Sequence, residues 1–424
     1  MLKQEDNDLL TRIGPGTPMG QMLREYWMPA MRSDSLVADG LPKRVRLMGE
    51  NFVAFRGTSG NVGFLYEACP HRGASMALAR NENDSLRCIF HGWQINCQGK
   101  LLDTPCEPQD RREEFMAAMK INHFPTREAG GLVWVYLGAQ KEPPQFPEFE
   151  FNNLPASHVC ARRAVVHYNW LQGLEAHLDA SHVGILHSGF MNATRKLAIG
   201  TRDLKLTTSN RAPRTEMVPT PYGLREGALR DLGDGTTYAR IREVALPFFT
   251  FIPHAADEPC SGRATVPIDD EWDAEWYILY DPHKPLTEEE IEKLFDGTDP
   301  DPENFAKTLG NAENMWHQDR EAMATHWSGF PRNIPFEDFV ITESMGPRQD
   351  RSNEQLGRAD IILVQVRRLL LNAVRDFQQG KPLHFNIDRD TYRNIRAIAT
   401  TIPIEKKWSD VSPVTDEMHQ TAAE

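Results

Sequence analysis

Two short Cys–His pairs constrain this chain more than any other feature. Cys69-Pro70-His71 and Cys88-Ile89-Phe90-His91 form the pattern C-x-H-x16-C-x2-H. A zinc finger usually pairs Cys with Cys and His with His along the chain. Here each loop offers one thiolate and one imidazole. That order suits a two-iron cluster in which one iron takes both sulfurs and the other both imidazoles. Two loops facing each other across the cluster deliver this without crossing. A neutral imidazole in place of an anionic thiolate raises the cluster's potential above that of an all-cysteine ferredoxin. Arg72-Gly73 and Gly92-Trp93 suit tight loops rich in backbone N–H groups. A zinc ribbon is the competing reading, and chance packing of a β-core by Cys and His the plainer one.

Composition narrows the setting. The 424 residues carry 47 Lys+Arg against 60 Asp+Glu, a formal charge of −13. That balance argues against nucleic acid or an anionic membrane as the main partner. Six cysteines over this length make no disulfide scaffold. The start, Met1-Leu2-Lys3-Gln4-Glu5-Asp6, lacks a charged-then-apolar signal pattern. The best apolar run, Gly131–Ala139, is about half of what a membrane span needs. These features place the protein in the cytoplasm, where cysteines serve as ligands, nucleophiles or packing. Cys97 and Cys106 read as packing, and Cys160 and Cys260 acquire no function.

The pattern along the chain predicts an α+β protein in several parts. Residues 1–40 read as an N-terminal helical segment. Residues 41–140 read as a small β-domain, with strands at Val45–Leu47, Phe52–Phe55, Val62–Tyr66 and Leu132–Leu137. A Pro-rich linker (141–150) leads to a second domain (151–405), and 406–424 form a polar tail. In the second domain Val159–Tyr168 reads as a strand and Trp170–His187 as a helix. Leu204–Thr208 and Tyr238–Phe251 alternate like strands. Ser352-x-x-Gln355 looks like a capping box before an apolar-periodic helix from Ile361 to Phe377, closed by Gly380.

The stretch from Asn169 to Ser188 holds a second constellation, D-x2-H-x4-H, made of Asp179, His182 and His187. On a helix, Glu175, Asp179 and His182 fall at i, i+4 and i+7, one face. His187 lies about 140° further round, so both histidines reach one metal only across a distortion. Gly184 between them permits an irregularity or an early helix end. Two histidines and one carboxylate on one side of an ion leave positions for O2 and suit non-haem Fe(II). The best source of the missing carboxylate is Glu337-Asp338, with Glu343 a further candidate. His177 and Glu175 read as supporting residues.

CPHRGA (69–74) and CxxHGW (88–93) resemble the Rieske [2Fe–2S] motif of bacterial ring-hydroxylating oxygenases. The opening EDNDLLTRIGPGTPMGQMLREYWMPA, NWLQGLEAHLDASHVGILHS (169–188), VPIDDEW (266–272) and ESMGPRQDRSNEQLG (343–357) resemble the phthalate dioxygenase branch. The resemblance implies a Rieske β-domain followed by a helix-grip catalytic domain of antiparallel sheet plus helices. It implies a [2Fe–2S] cluster on Cys69, His71, Cys88 and His91. It also implies a mononuclear Fe(II) on His182, His187 and the acid of a (Q/E)D pair, which points to Asp338. Asp179 would bridge His182 and the partner subunit's His91, accepting from both imidazoles. A head-to-tail trimer, sometimes stacked, would bring one subunit's cluster to the next subunit's iron. Electrons would come from NADH through a separate flavin/iron–sulfur reductase. Phthalate-specific members tend to carry small polar residues after the first iron histidine; here Val183-Gly184-Ile185-Leu186 is more apolar, which argues against phthalate itself.

An aromatic acid needs a cation in its pocket, and arginine matches a carboxylate best. Arg211, Arg214, Arg240 and Arg242 lie in expected strands, and Arg240 and Arg242 share strand parity. The leading expectation is an oxygenase that hydroxylates an aromatic carboxylic acid. The alternatives are O-demethylation of a methoxylated, lignin-derived acid by the same irons, and a pure Rieske-type electron carrier.

Overall fold

The computed structural model describes residues 2–140, 142–191 and 204–413. The β-rich runs punctuated by Gly and Asn become small antiparallel sheets around the two Cys–His loops. Lys43–Leu47, Glu50–Arg56 and Val62–Tyr66 form a three-stranded meander. Alternation along it turns Phe52 and Phe64 inward, where they meet each other and the edge of Phe124. Arg80–Glu82, Ser85–Arg87, Gln94–Asn96 and Leu101–Asp103 form a four-stranded sheet. The first Cys–His loop follows the meander. The second joins Ser85–Arg87 to its paired strand Gln94–Asn96, so short-range pairing holds it in place.

The expected helical opening contains helices Gln4–Thr11 and Pro18–Arg24, and a strand as well. Thr17 caps the second helix by accepting from Gly20 N, with Pro18 in the first turn. Strand Met28–Arg32 then pairs with Leu132–Val135, which also pairs with Thr126–Ala129. Both ends of the β-domain therefore close on one sheet.

The rest of the chain builds an eight-stranded antiparallel sheet gripped by helices. Its path runs Val159–Val166, Asp273–Tyr280, Cys260–Pro267, Phe249–Ile252, Thr236–Ala245, Gly223–Asp231 and Arg214–Thr220. Thr236–Ala245 changes partner along its length. Its end pairs with Phe249–Ile252, and its start with Ile398–Pro403. Helix Trp170–Leu178 lies on the strands Cys260–Pro267, Phe249–Ile252 and Asp273–Tyr280. Trp170, Leu171 and Leu174 of this helix are fully buried. Burying side chains of that size contributes about 1.5–3 kcal/mol each. One apolar core joins the two parts of the chain: Trp134 of the β-domain stacks on Phe249 of the large sheet at 5.6 Å.

Three local expectations fail. Leu204–Thr208 is the start of a short helix, Leu204–Ser209; five residues cannot separate a period of 2 from one of 3.6. Ser352 caps no long helix. Its hydroxyl is taken by Asp350 in a 3-10 turn, and the helix Ile361–Gln378 begins after Asp360. Tyr238–Phe251 is two strands rather than one, parted at Leu246-Pro247-Phe248. The close of the long helix is as expected, with Gly380 at φ 71° in the left-handed region. Residues 414–424 of the expected polar tail lie outside the described residues.

Candidate active site

The two Cys–His loops fold alike. Cys69 N donates to Ala74 O and Gly73 N to Cys69 O, both at 2.8 Å. Cys88 N donates to Trp93 O at 2.8 Å and Gly92 N to Cys88 O at 2.9 Å. Each turn passes through a glycine in the left-handed region, Gly73 at φ 77° and Gly92 at φ 74°. Cys69 and Cys88 are buried, and the rings of His71 and His91 stand 4.5 Å apart at 77°. His71 is held flat against Trp93 at 4.8 Å. The Nδ1 atoms of both histidines are buried without a hydrogen-bond partner. Burial, with Cys88 beside it, pushes the Cys69 thiol up to about 11. Two buried thiols and two orphaned imidazole nitrogens are costly as bare groups and reasonable as ligands. The donor set of two sulfurs and two nitrogens fits a [2Fe–2S] cluster with imidazoles on one iron.

The second constellation depends on a helix that stops early. Helix Trp170–Leu178 ends at Asp179, whose φ/ψ of −72°/118° is extended. Two buried arginines from the distant sheet supply donors where the helix would have continued. Arg242 Nη1 donates to Leu178 O at 2.5 Å, and Arg230 Nη2 to Ala180 O at 3.4 Å. The expected single face of Glu175, Asp179 and His182 is therefore not formed, and the distortion falls at Asp179 rather than Gly184. A 3-10 turn, His182–Gly184, follows, and the rings of His182 and His187 come within 5.1 Å.

Asp338 completes the group from helix Ile334–Ser344. Its Oδ1 lies 3.4 Å from His182 Nε2 and 3.2 Å from His187 Nε2. One atom from each of the three side chains falls within 4.8 Å of the others. Each imidazole uses its other nitrogen on a second carboxylate. His182 Nδ1 lies 3.4 Å from Asp179 Oδ2, and His187 Nδ1 lies 2.6 Å from Glu337 Oε2. Such outer carboxylates fix the tautomer of a metal-binding histidine and leave Nε2 as the ligand. Glu337 is thus a support for His187, itself bonded to Ser328. Glu343 sits elsewhere, accepting from His167 N and Trp316 Nε1. Glu175 is a structural anchor for Arg351 and Arg367.

Electrostatics agree with a cation site. Burial disfavours the His182 cation, yet Asp179 and Asp338 outweigh it and raise its pKa to about 10. Burial would raise Asp179, but His182 and the Ser181 N–H hold it at about 2. The two histidines keep Asp338 well below the usual carboxylate range despite its burial. Concentrated negative charge with convergent imidazoles suits a divalent ion with open positions.

A cavity of about 110 Å³ opens beside this group. Arg240 and Arg242, both buried, line it from one face of their strand, as their parity predicts. Arg242 is spoken for, since it also binds Glu226 at 2.5 Å. Arg240 donates from Nη2 to Pro253 O at 3.3 Å, and its buried Nη1 has no partner among the described residues. Arg211 is exposed in a bend, off any strand and outside the cavity lining, and Arg214 is an exposed partner of Glu216. One cavity residue absent from the sequence expectations is Arg263, held over the Tyr277 ring at 3.8 Å and buried on a neighbouring strand. His177, expected to be a supporting residue, lines the cavity from the helix. Only cross-strand neighbours reveal Arg263, and these are invisible in one chain read in order.

The match to the Rieske [2Fe-2S] domain covers residues 26–125, and the match to the LigXa C-terminal domain-like family covers residues 135–424. The chain belongs to the Rieske oxygenases, as an alpha subunit of the phthalate dioxygenase-like branch. The first match sets aside a zinc ribbon, and the second, over most of the chain, sets aside a pure electron carrier. The chain is 34% identical to the 3-chlorobenzoate-3,4-dioxygenase oxygenase subunit of Comamonas testosteroni, over 96% of this chain and 97% of that one. It is 35% identical to the phthalate 4,5-dioxygenase oxygenase subunit of Pseudomonas putida, over 90% and 88%. In fold it is similar to Pseudomonas putida CBB5 NdmA with caffeine, at a TM-score of 0.60 and 16% identity, over 92% of this chain and 100% of that one. The protein is an O2-incorporating oxidoreductase that works with a [2Fe–2S] cluster and a mononuclear iron. Its electrons come from a separate ferredoxin or reductase. Among the described residues, no helix is long and apolar enough to cross a membrane.

Proposed function

We propose that this Rieske oxygenase hydroxylates an aromatic carboxylic acid of the chlorobenzoate and phthalate kind. In this reading Cys69, His71, Cys88 and His91 hold the cluster within residues 41–140. His182, His187 and Asp338 hold the iron within residues 151–405. The observation that carries the substrate class is Arg240, a buried guanidinium on the cavity with an unpartnered Nη1. A buried guanidinium N–H without an acceptor is costly, and a substrate carboxylate would satisfy it in fork geometry.

When bound, the cluster held by Cys69, His71, Cys88 and His91 would supply single electrons, and the iron held by His182, His187 and Asp338 would supply the chemistry that activates O2. The chain's own residues do the rest. Arg240 orients the acid, and Val183, Ile252 and Leu294 line the cavity with apolar surface that suits an aromatic ring. Asp179 and Glu337 hold the two imidazoles in the tautomer that presents Nε2. Among the described residues Asp179 bonds to Ser181 and His182, and no hydrogen bond links it to His91 of its own chain. Near the cluster Ile89 and Phe90 are exposed, at 63% and 56%. Both facts favour a trimer in which the partner subunit's His91 reaches Asp179.

The test is a panel of phthalates, chlorobenzoates, methoxylated benzoates and biaryl acids with a reductase, read by coupled O2 uptake and product mass. A cis-diol marks ring dioxygenation and formaldehyde marks demethylation. Turnover of neutral aromatics alone would sink the acid reading. R240Q is expected to raise KM for the acid by roughly 10–100-fold, the loss of a charge-assisted hydrogen bond, with kcat less affected. A steady-state comparison of acid and methyl ester checks it, because the ester should not distinguish the two proteins.

A further inference from the structure

Behind the cavity lies a buried titratable cluster that neither iron binding nor substrate binding uses. Asp273, Glu275 and Tyr277 alternate along strand Asp273–Tyr280 and share one face of the sheet. All three are buried. Helix Trp170–Leu178 covers that face, and Gly173 allows the close approach: a Cβ there would lie 2.0 Å from Glu275 Oε1. Glu275 Oε1 accepts from Tyr168 OH at 3.1 Å. Its Oε2 lies 3.4 Å from His177 Nε2 and has no hydrogen-bond partner. His177 in turn lines the cavity, and its Nδ1 is buried and unpartnered. A continuous contact thus runs from the sheet interior, through one carboxyl and one imidazole, to the cavity beside His182, His187 and Asp338.

The protonation states suit transfer. Burial raises Glu275 to about 8, with Asp338 acting in the same direction and Tyr168 and Arg263 opposing it. Burial lowers His177 to about 3, helped by the charges of Arg263, Arg242 and His182 and opposed by Asp338. Asp273, two residues from Glu275, is pushed well above the carboxylate range by burial and by Glu275. Tyr277 completes the set on the same face, and the two strands paired with it, Val159–Val166 and Cys260–Pro267, set Ala164 and Thr265 opposite Glu275. At neutral pH the pair is therefore a carboxylic acid against a neutral imidazole.

We propose that Glu275 and His177 form a proton relay into the cavity, supplying one of the protons consumed as O2 is reduced there; the relay rests on the cavity being the oxygenation site. Oxygenation with NADH-derived electrons takes up two electrons and two protons, whether both oxygen atoms enter the product or one leaves as water. In the relay, the proton on His177 Nδ1 passes to the acceptor in the cavity. The Glu275 proton moves to His177 Nε2, and the electron pair of its O–H bond stays on the carboxylate, where Tyr168 and Arg263 stabilise it. A solvent proton taken up at Nδ1 after product release returns the Nε2 proton to Glu275. Because the acid form delivers the proton, activity is present below the Glu275 pKa and falls as pH rises through it.

Infrared titration of the holoenzyme without substrate reads that proton. A carboxylic-acid band should be present at neutral pH, fade as pH rises through about 8, and be missing from E275Q. E275Q should keep its iron and lose turnover by at least about tenfold at neutral pH. Y168F removes a bond that favours the carboxylate, so it should move the infrared midpoint and the alkaline limb of turnover upward together. That joint shift is foreign to a merely structural role, and it carries the test if E275Q fails to fold. An ionised Glu275 at neutral pH, or an alkaline limb that ignores its midpoint, overturns the relay. A band with the expected midpoint and no turnover on any aromatic acid counts against the substrate class alone.

Discussion

Replacing Asp338 with alanine is expected to remove the mononuclear iron and leave the cluster in place. Asp338 Oδ1 faces both His182 Nε2 and His187 Nε2, at 3.4 and 3.2 Å. Without it a divalent ion would meet two neutral imidazoles, losing one ligand and the nearest negative charge together. Asp179 and Glu337 do not replace it, because each is engaged with the opposite nitrogen of its histidine. Iron should fall from about three to about two per chain, with turnover abolished and the visible spectrum of the cluster kept. Metal analysis beside absorbance of the reduced and oxidised protein decides it. Retention of about three irons in D338A would show that the third ligand lies elsewhere.

D179N should keep all its iron and lose at least about 100-fold in turnover. The amide has the size of the carboxylate and can still accept from Ser181 N, now at 2.6 Å. It lacks the anionic acceptor that faces His182 Nδ1 and would face the partner subunit's His91. The carboxylate is fully ionised at working pH, since its pKa is held at about 2. Substitution therefore removes a charge as well as a hydrogen bond. The cluster should still be reduced by its reductase, and its reoxidation by O2 with substrate present should slow. Stopped-flow absorbance separates the two steps. Wild-type reoxidation in D179N would refute the bridging role.

Local chemistry was legible in the sequence to the extent that it is local in space. The four cluster residues sit in two tight turns, each closed by its own backbone and its own glycine, so spacing alone carries the motif. Asp179, His182 and His187 lie within one short segment, and the need for a break between the histidines follows from helical geometry. The position of that break does not. It is set by Arg242 and Arg230, which lie 64 and 50 residues after the carbonyls they bind at the helix end. The same holds for the roles of the acids. Asp338 and Glu337 are adjacent, yet one turns to the Nε2 atoms and the other to Nδ1 of His187, a difference made by the orientation of helix Ile334–Ser344.

The sequence by itself determined the two Cys–His loops, the order of a β-domain and a larger α+β domain, and the pair of histidines around which a metal can sit. Tertiary structure decided that Arg240 turns a buried, unpartnered Nη1 into the cavity region, that Arg211 stays outside the cavity, and that Glu275 and His177 meet behind it. The physical reason is the antiparallel sheet. It places side chains far apart in the chain within a few ångströms of one another in a dry interior, where partners, protonation and charge are set by neighbours and not by sequence order.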